Sequence, residues 1–150
     1  MEVQYRKLRE SDLDTFVQMR INQLQEEGAT SSEDLTLPLR IYYQRHMQDN
    51  TFVSWVAIDN GKIIATSGMS FVERPPTFDC PSGKIGILSG MYTLTEYRRN
   101  GIARILLDKV ILEAKNHGCC AVQVTGSNVG VLLYANYGFK KNRNFMYYSF

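Results

Sequence analysis

The chain has 150 residues, which suits one domain large enough to bury a core without metal ions or disulfides. Its hydrophobic fraction of 44% and charged fraction of 21% are ordinary for a globular protein and exclude intrinsic disorder. The net charge of +2 is too small to indicate nucleic acid or a membrane surface as the main partner, so we expect neither.

The cysteines and the N-terminal segment indicate a cytoplasmic protein. The chain has three cysteines, Cys80, Cys119 and Cys120. An odd number with two adjacent members is not the pattern of a disulfide framework. They also lack the spaced ligand pairs of a zinc site, so we predict reduced thiols and no bound metal. Residues 1–12 are charged and lack the apolar run of a signal peptide. No apolar run elsewhere approaches the length that spans a membrane.

The first third of the sequence predicts one strand and two helices. Residues 3–8 alternate polar and apolar side chains, as a half-buried strand does. Apolar residues then recur at helical spacing from Ser11 until Gly28, which favours the end of a helix. A second helix is predicted from about residue 34 to 48, with Pro38 in its first turn, where a missing N–H costs little.

A hairpin and a long loop follow these helices. Residues 53–59 and 62–71 are rich in strand-forming side chains. Asn60-Gly61 lies between them, and both residues tolerate the positive φ angles of a type I′ turn. Three prolines within residues 72–83 exclude a regular strand and predict a loop long enough to shape a binding site.

The second half predicts alternating strands and helices. A strand over residues 84–94 leads through a polar turn into a helix over 102–116, which is about four turns long. The apolar stretch at 119–125 is typical of a buried central strand, and a short helix over 128–136 follows it.

A final strand is predicted over residues 145–150, and part of 139–143 could pair with it. The order of elements is typical of a mixed α/β sheet with helices on both faces. Because no internal boundary is visible, we expect one domain over residues 1–150.

Residues 98–103, between a predicted strand and a predicted helix, combine features of a phosphate-binding turn. The first N–H groups of a helix lack internal partners, and the helix dipole adds positive potential there. Gly101 lets an anion approach the backbone, and Arg98 and Arg99 add charge. The small Ala103 leaves the first helical turn open. The pattern is neither a Walker loop nor a G-x-G-x-x-G motif, and a surface turn with solvated arginines is the alternative.

Two blocks of the sequence resemble a known family. Residues 98–103, RRNGIA, resemble the R/Q-x-x-G-x-G/A signature of the GNAT superfamily of N-acetyltransferases. Residues 93–97 resemble its V-x-P-E-Y lead-in, with Thr93 in place of the apolar residue and Thr95 in place of proline. Residues 128–139 are similar to the family block N-x-x-A-x-x-L-Y-x-x-x-G-F. The order of elements also matches over nearly the whole chain.

The resemblance implies a single-domain, GNAT-like α/β fold of mixed α and β elements. Its central sheet would be mixed but mostly antiparallel, with about six to seven strands, splayed central strands and helices on both faces. The strand at residues 91–93 would diverge from the strand at 121–125, and the pantetheine arm of acetyl-CoA would enter the gap.

The resemblance also implies how each motif contacts acetyl-CoA, the expected co-substrate. Amides of the turn would hold its pyrophosphate, and an N–H of the neighbouring strand would polarise the thioester carbonyl. A phenol would donate a proton to the departing thiolate. The predicted cofactor-binding residues are Met91, Tyr92, Thr93, Arg98, Arg99, Asn100, Gly101, Ile102, Ala103 and Asn128, and the predicted catalytic residue is Tyr134.

Several of these positions have structural interpretations as well. Tyr134 could be a helix aromatic packed on the sheet, and Asn128 could cap a helix. In many relatives, a glutamate on the strand that corresponds to residues 84–94 acts as the general base. This strand has no carboxylate. The remaining candidates for accepting the proton of the amine are water held by Ser89 or Tyr92 and the carboxylates of Glu26, Glu27, Glu73 and Asp79.

The function implied by the resemblance is N-acetyl transfer. The enzyme would move an acetyl group from acetyl-CoA directly to a primary amine, in a small molecule or a peptide, within a ternary complex. A non-catalytic acyl-CoA-binding or CoA-binding sensor and a protein-interaction domain are the alternatives. Homodimers are common in the family, and the aromatic segment 145–150 could supply an edge or an interface.

Overall fold

The structure is a computed structural model that describes residues 1–29, 31–125, 130–142 and 144–150. Within those ranges it contains six strands and four α-helices. The strands are β1 (Gln4–Lys7), β2 (Phe52–Val53), β3 (Trp55–Asp59), β4 (Lys62–Glu73), β5 (Lys84–Thr93) and β6 (Ala121–Val124). The helices are α1 (Leu13–Glu26), α2 (Thr36–Gln48), α3 (Ile102–Asn116) and α4 (Val131–Tyr137). No helix in the described ranges combines the length and the apolar character that crossing a membrane requires.

The strands form one mixed, mostly antiparallel sheet, as predicted. Their order is β1-β3-β4-β5-β6, with the short β2 pairing with β4 beside β3. Every pair is antiparallel except β5 and β6, which are parallel and are connected by α3. The predicted hairpin between β3 and β4 is also confirmed, because Asn60 and Gly61 have positive φ angles of 50° and 74°, respectively.

Helices cover both faces of the sheet, so the core has two layers. On one face α1 and α2 pack their aromatic side chains against β2, and the ring centroids of Phe16 and Tyr43 lie 4.9 Å apart. On the other face α3 buries Leu106, Leu107 and Val110 completely. Burial of aliphatic side chains of this size stabilises the fold by about 1.5–3 kcal/mol each, which fixes α3 against the centre of the sheet.

Within the described residues, only four of the ten residues of β5 have a partner strand on both edges. Its pairing with β6 covers Ile85 to Leu88 and goes no further in the described residues. Its pairing with β4 continues to Thr93 through an irregularity near Gly90, which has a φ of 65°. The Thr66 hydroxyl donates to the Gly90 carbonyl at 2.8 Å and holds this bulge. Residues 89–93 therefore present one unpaired edge within the described part of the chain.

The C-terminal strand predicted at residues 145–150 is wrong for this structure. The structure assigns no strand to residues 144–150, and the predicted pairing with 139–143 is also absent from the described residues. The side chains of Phe145, Met146 and Tyr147 are 70%, 87% and 82% exposed. Strand propensity reflects packing on a sheet, and no described strand lies alongside this segment to supply that packing.

The predicted burial of the strand at 119–125 is wrong as well. β6 lies at the edge of the described sheet, and exposed and half-buried residues alternate along it. Its apolar composition reflects one face packed on α3 rather than burial on both faces.

A disulfide joins Cys80 to Cys120, which corrects the prediction of three reduced thiols. Cys80 lies in the loop between β4 and β5, and Cys120 directly precedes β6. Their Cα atoms are 5.6 Å apart, a usual separation for a disulfide. Cys119 is free. Adjacent residues of an extended chain point in opposite directions, so only one member of the Cys119-Cys120 pair can face Cys80.

We predict that breaking this disulfide lowers the free energy of unfolding by about 2–4 kcal/mol, because the bond closes a loop of 40 residues. Urea denaturation with and without dithiothreitol measures the difference. The Cys80→Ser variant is the control, since its stability should not respond to the reductant. Equal stability of the oxidised and reduced wild-type protein would contradict the prediction.

Candidate active site

The predicted phosphate-binding turn forms at the start of α3. The first helical bond of its backbone runs from the Ile105 N–H to the Gly101 carbonyl at 3.2 Å, so the preceding amides have no partner inside the helix. No side chain caps this end. Arg99 and Gly101 both have left-handed backbone, with φ angles of 63° and 76°. The result is an exposed, electropositive helix end that suits an anion.

The side chains of the turn have different tasks. Arg98 donates from Nε to the Thr93 carbonyl at 2.8 Å and from Nη2 to the Glu26 carboxylate at 3.0 Å. Asn100 donates from Nδ2 to the carbonyls of Tyr97 and Arg98, so its side chain stabilises the turn itself. The exposed Arg99 side chain makes no hydrogen bond or ion pair within the described residues. Among the side chains of the turn, Arg99 is therefore the one whose positive charge is available to attract a bound anion.

The unpaired edge of β5 ends at this turn. Leu94 donates its N–H to the Ile64 carbonyl at 2.9 Å, so its backbone groups face β4. Successive strand residues alternate, which directs the backbone groups of Thr93 away from β4 and towards the unpaired edge. The Thr93 carbonyl accepts from Arg98 there. This geometry leaves the Thr93 N–H oriented towards any chain that lies along the edge.

A tyrosine and a carboxylate from different elements meet beside this edge. Tyr92 donates its hydroxyl to Glu26 at 2.7 Å, and the Arg98 guanidinium lies 5.7 Å from the centre of the Tyr92 ring. The hydrogen bonds from Tyr92 and Arg98 lower the pKa of the Glu26 carboxyl below its ordinary value. Burial and the same hydrogen bond raise the pKa of Tyr92. The end of α1 is thereby fixed to the end of β5.

Tyr134, the predicted catalytic residue, lies on α4 with only 9% of its surface exposed. Its ring packs with Leu88 and Met91 of β5 in one hydrophobic cluster and lies 5.5 Å from the Phe139 ring. Burial raises the pKa of its hydroxyl, and the negative charge of Glu27 raises it further. The hydroxyl has no hydrogen-bond partner within the described ranges. The ring therefore belongs to the core, and the hydroxyl remains available for the catalytic role, which stays a prediction.

Gln23 is a site residue that the sequence analysis missed. Its side chain is 6% exposed, and its Nε2 donates to the Met91 carbonyl at 3.1 Å and to Glu27 Oε1 at 3.3 Å. Its Oε1 accepts from Arg20 at 2.9 Å. A signal was present, since Gln23 follows Phe16 and Met19 at helical spacing in the buried stripe of α1. A polar residue in such a stripe needs a buried partner.

The structure separates the remaining candidates for accepting a proton. Glu73 pairs with Lys84 at the start of β5. Lys84 lies seven residues before Met91, which places Glu73 about 23 Å from Met91 along the strand. Asp79 lies in the loop beyond that end. Glu26 and Glu27, in contrast, lie beside Tyr92 and Gln23 at the other end of β5.

Asn128, predicted to contact the cofactor, lies outside the described residues. The described residues contain no group of three or more potential metal-ligating side chains.

Comparison with protein-family models decides the family. A model described as the acetyltransferase (GNAT) family matches residues 14–139. The chain belongs to this family of enzymes. The resemblance carried by residues 98–103 and 128–139 is thus confirmed, and so is the expectation of an acetyltransferase. A search of curated protein sequences gave no match.

Solved structures of GNAT proteins match the whole fold. A predicted acetyltransferase from Clostridium acetobutylicum, solved with acetyl-CoA, is 32% identical, with a TM-score of 0.95 over 99% of this chain and 96% of that one. A GCN5-related N-acetyltransferase from Ralstonia eutropha JMP134 is 22% identical, with a TM-score of 0.86 over 99% of each chain. Glucosamine-6-phosphate N-acetyltransferase from Arabidopsis thaliana is 19% identical, with a TM-score of 0.76 over 100% and 99%. These matches confirm the predicted fold class.

We predict that Tyr92→Phe raises the pKa of Glu26 towards its ordinary value, because the lost hydrogen bond favours the ionised carboxylate. NMR titration of the side-chain carboxyl carbons measures this shift. Asp12 is an internal control, since its pKa is lowered by a hydrogen bond from Arg6, away from the substitution. An unchanged pKa of Glu26 would mean that the Tyr92 hydroxyl does not bind it in solution.

Proposed function

We propose that this GNAT acetyltransferase transfers an acetyl group from acetyl-CoA directly to a primary amine within a ternary complex. The observation that carries the proposal is the unpaired edge of β5 at residues 89–93. One end of this edge contacts the cluster that contains Tyr134, and the other end leads into the anion-binding turn at 98–103. Acetyl-CoA matches this surface, because its extended pantetheine arm has phosphates at one end and a thioester at the other.

Each part of this surface has a role in the proposed reaction. Amides of the turn bind the pyrophosphate, together with the charge of Arg99. The edge of β5 binds the pantetheine arm as an added strand would, and the N–H groups of Met91 and Thr93 are the candidates for polarising the thioester carbonyl. Tyr134 protonates the departing thiolate, because a phenol is protonated at neutral pH and burial only raises the pKa of this one further.

The acceptor in this proposal is an amine of a small molecule or a peptide. The Arabidopsis relative is named for an amino sugar phosphate, but its 19% identity supports the shared fold only. We keep a homodimer as a prediction, for which the exposed aromatic residues of 145–150 provide apolar surface. A cytoplasmic location is also a prediction, and the Cys80–Cys120 disulfide argues against it, because such bonds persist mainly in oxidising compartments.

Coenzyme binding is tested by Gly101→Asp, which we expect to weaken the affinity for acetyl-CoA at least tenfold, or about 1.4 kcal/mol. The substitution places a carboxylate at the anion-binding turn. Gly61→Asp is a matched control, because Gly61 has a φ of 74° against 76° for Gly101 and both positions have open space around a new Cβ. Calorimetric titration with acetyl-CoA should show the loss in Gly101→Asp alone.

Two results of this titration would contradict the binding proposal. Equal affinity in both variants would remove the turn from the coenzyme site. No affinity in the folded wild-type protein would favour the protein-interaction alternative.

Catalysis is tested by Tyr134→Phe, which we expect to lower kcat by about 10²-fold or more while the affinity for acetyl-CoA stays within a few-fold. The assay follows thiol release with a panel that contains a polyamine, an aminoglycoside, an amino sugar phosphate, an amino acid and a dipeptide. Tyr137→Phe is the matched control on the same helix, since the Tyr137 hydroxyl donates to Asp108 instead.

Undiminished turnover by Tyr134→Phe would remove this residue from the acid role. Binding of acetyl-CoA by the wild-type protein without turnover of any amine would favour the sensor alternative.

A further inference from the structure

The proposed reaction needs a group that removes a proton from the acceptor, because an alkylamine is mostly an ammonium ion at neutral pH. β5 contains no carboxylate, and Glu73 and Asp79 lie at its far end. Glu26 already accepts hydrogen bonds from Tyr92 and Arg98. Glu27 is the remaining carboxylate of the candidates at this end of β5. It is exposed, and Gln23 is its hydrogen-bond partner.

The Gln23 amide holds Glu27 in a defined place. Its oxygen is fixed by Arg20, so its two N–H groups have a fixed direction. One N–H reaches the Met91 carbonyl at 3.1 Å, and the other reaches Glu27 Oε1 at 3.3 Å. Because Gln23 is almost fully buried, its amide has little freedom to change direction. The carboxylate of Glu27 is thus tied to the backbone of Met91 through one side chain.

Glu27 and Tyr134 approach the same edge from different elements. Glu27 follows the end of α1, whereas Tyr134 lies on α4 and packs in the cluster that includes Met91. The negative charge of Glu27 adds to burial in raising the pKa of Tyr134, as a nearby charge does. The other charged groups at this place are Glu26, Arg98 and Arg20, which are all engaged in the contacts described above.

We propose that Glu27 accepts the proton of the acceptor ammonium and that Gln23 is the residue that positions it, an inference that rests on the proposed acetyl transfer. The neutral amine then forms the C–N bond with the thioester carbon, and the C–S bond breaks. Tyr134 gives its proton to the thiolate and regains one from the nitrogen of the tetrahedral intermediate. The ammonium thus loses two protons, one that leaves through Glu27 to solvent and one that ends on the thiol.

The test compares Glu27→Gln with wild-type protein on the amine of the panel that the wild type acetylates fastest. We expect kcat to fall about 10²-fold at pH 7 while the affinity for acetyl-CoA is unchanged. The loss should shrink at least tenfold as the pH approaches the pKa of that amine, since solvent then supplies the neutral form. Glu33→Gln is the control, an exposed carboxylate in the same connection between α1 and α2 whose replacement should leave kcat unchanged.

A second variant tests the positioning role. Gln23→Met removes the amide but keeps a similar shape, and it should lower kcat with the same pH dependence as Glu27→Gln. A purely structural role of Gln23 would change stability without this dependence, and that result would overturn the positioning role.

Full activity of Glu27→Gln, or a loss that does not vary with pH, would overturn the proposal for Glu27 and leave acetyl transfer standing. A wild-type protein that acetylates no amine would overturn both.

Discussion

In the part of the chain that the structure describes, the pairing of β5 with β6 extends only to Leu88 and Val124, and the candidate site depends on this limit. Buried backbone groups require partners, so a strand that continues beyond its neighbour must find them elsewhere. Side chains supply part of the requirement here, since Gln23 binds the Met91 carbonyl and Arg98 binds the Thr93 carbonyl. The Met91 and Thr93 carbonyls thereby have partners, and within the described residues the Thr93 N–H is left for an incoming acceptor of hydrogen bonds.

The same contacts connect three parts of the fold that are distant in sequence. α1 reaches β5 through Gln23 and Glu26, and the turn before α3 reaches both through Arg98. A ligand on the unpaired edge would therefore contact a surface whose carbonyls, carboxylates and cations already have fixed directions. Such preorganisation lets hydrogen-bond donors act on developing charge without first being reorganised.

Local signals in the sequence were sufficient for some features of the structure. Asn60-Gly61 predicted the hairpin, and Gly101 with its arginines predicted the turn, because each depends on backbone conformations that few residue types adopt. The features that were missed depend on contacts between distant segments. Gln23 meets Met91 across 68 residues, Cys80 meets Cys120 across 40, and residues 145–150 lack a partner strand in the described chain. No local pattern determines which segments meet in this way.

The disulfide also closes a covalent ring within the chain. The ring closed by Cys80 and Cys120 contains β5, the anion-binding turn and all of α3. These elements carry nearly all of the surface proposed to bind the coenzyme, and in the oxidised chain they remain joined when the rest of the protein opens. Local opening of native structure occurs in cooperative units, and in any such opening this ring keeps β5, the turn and α3 covalently connected.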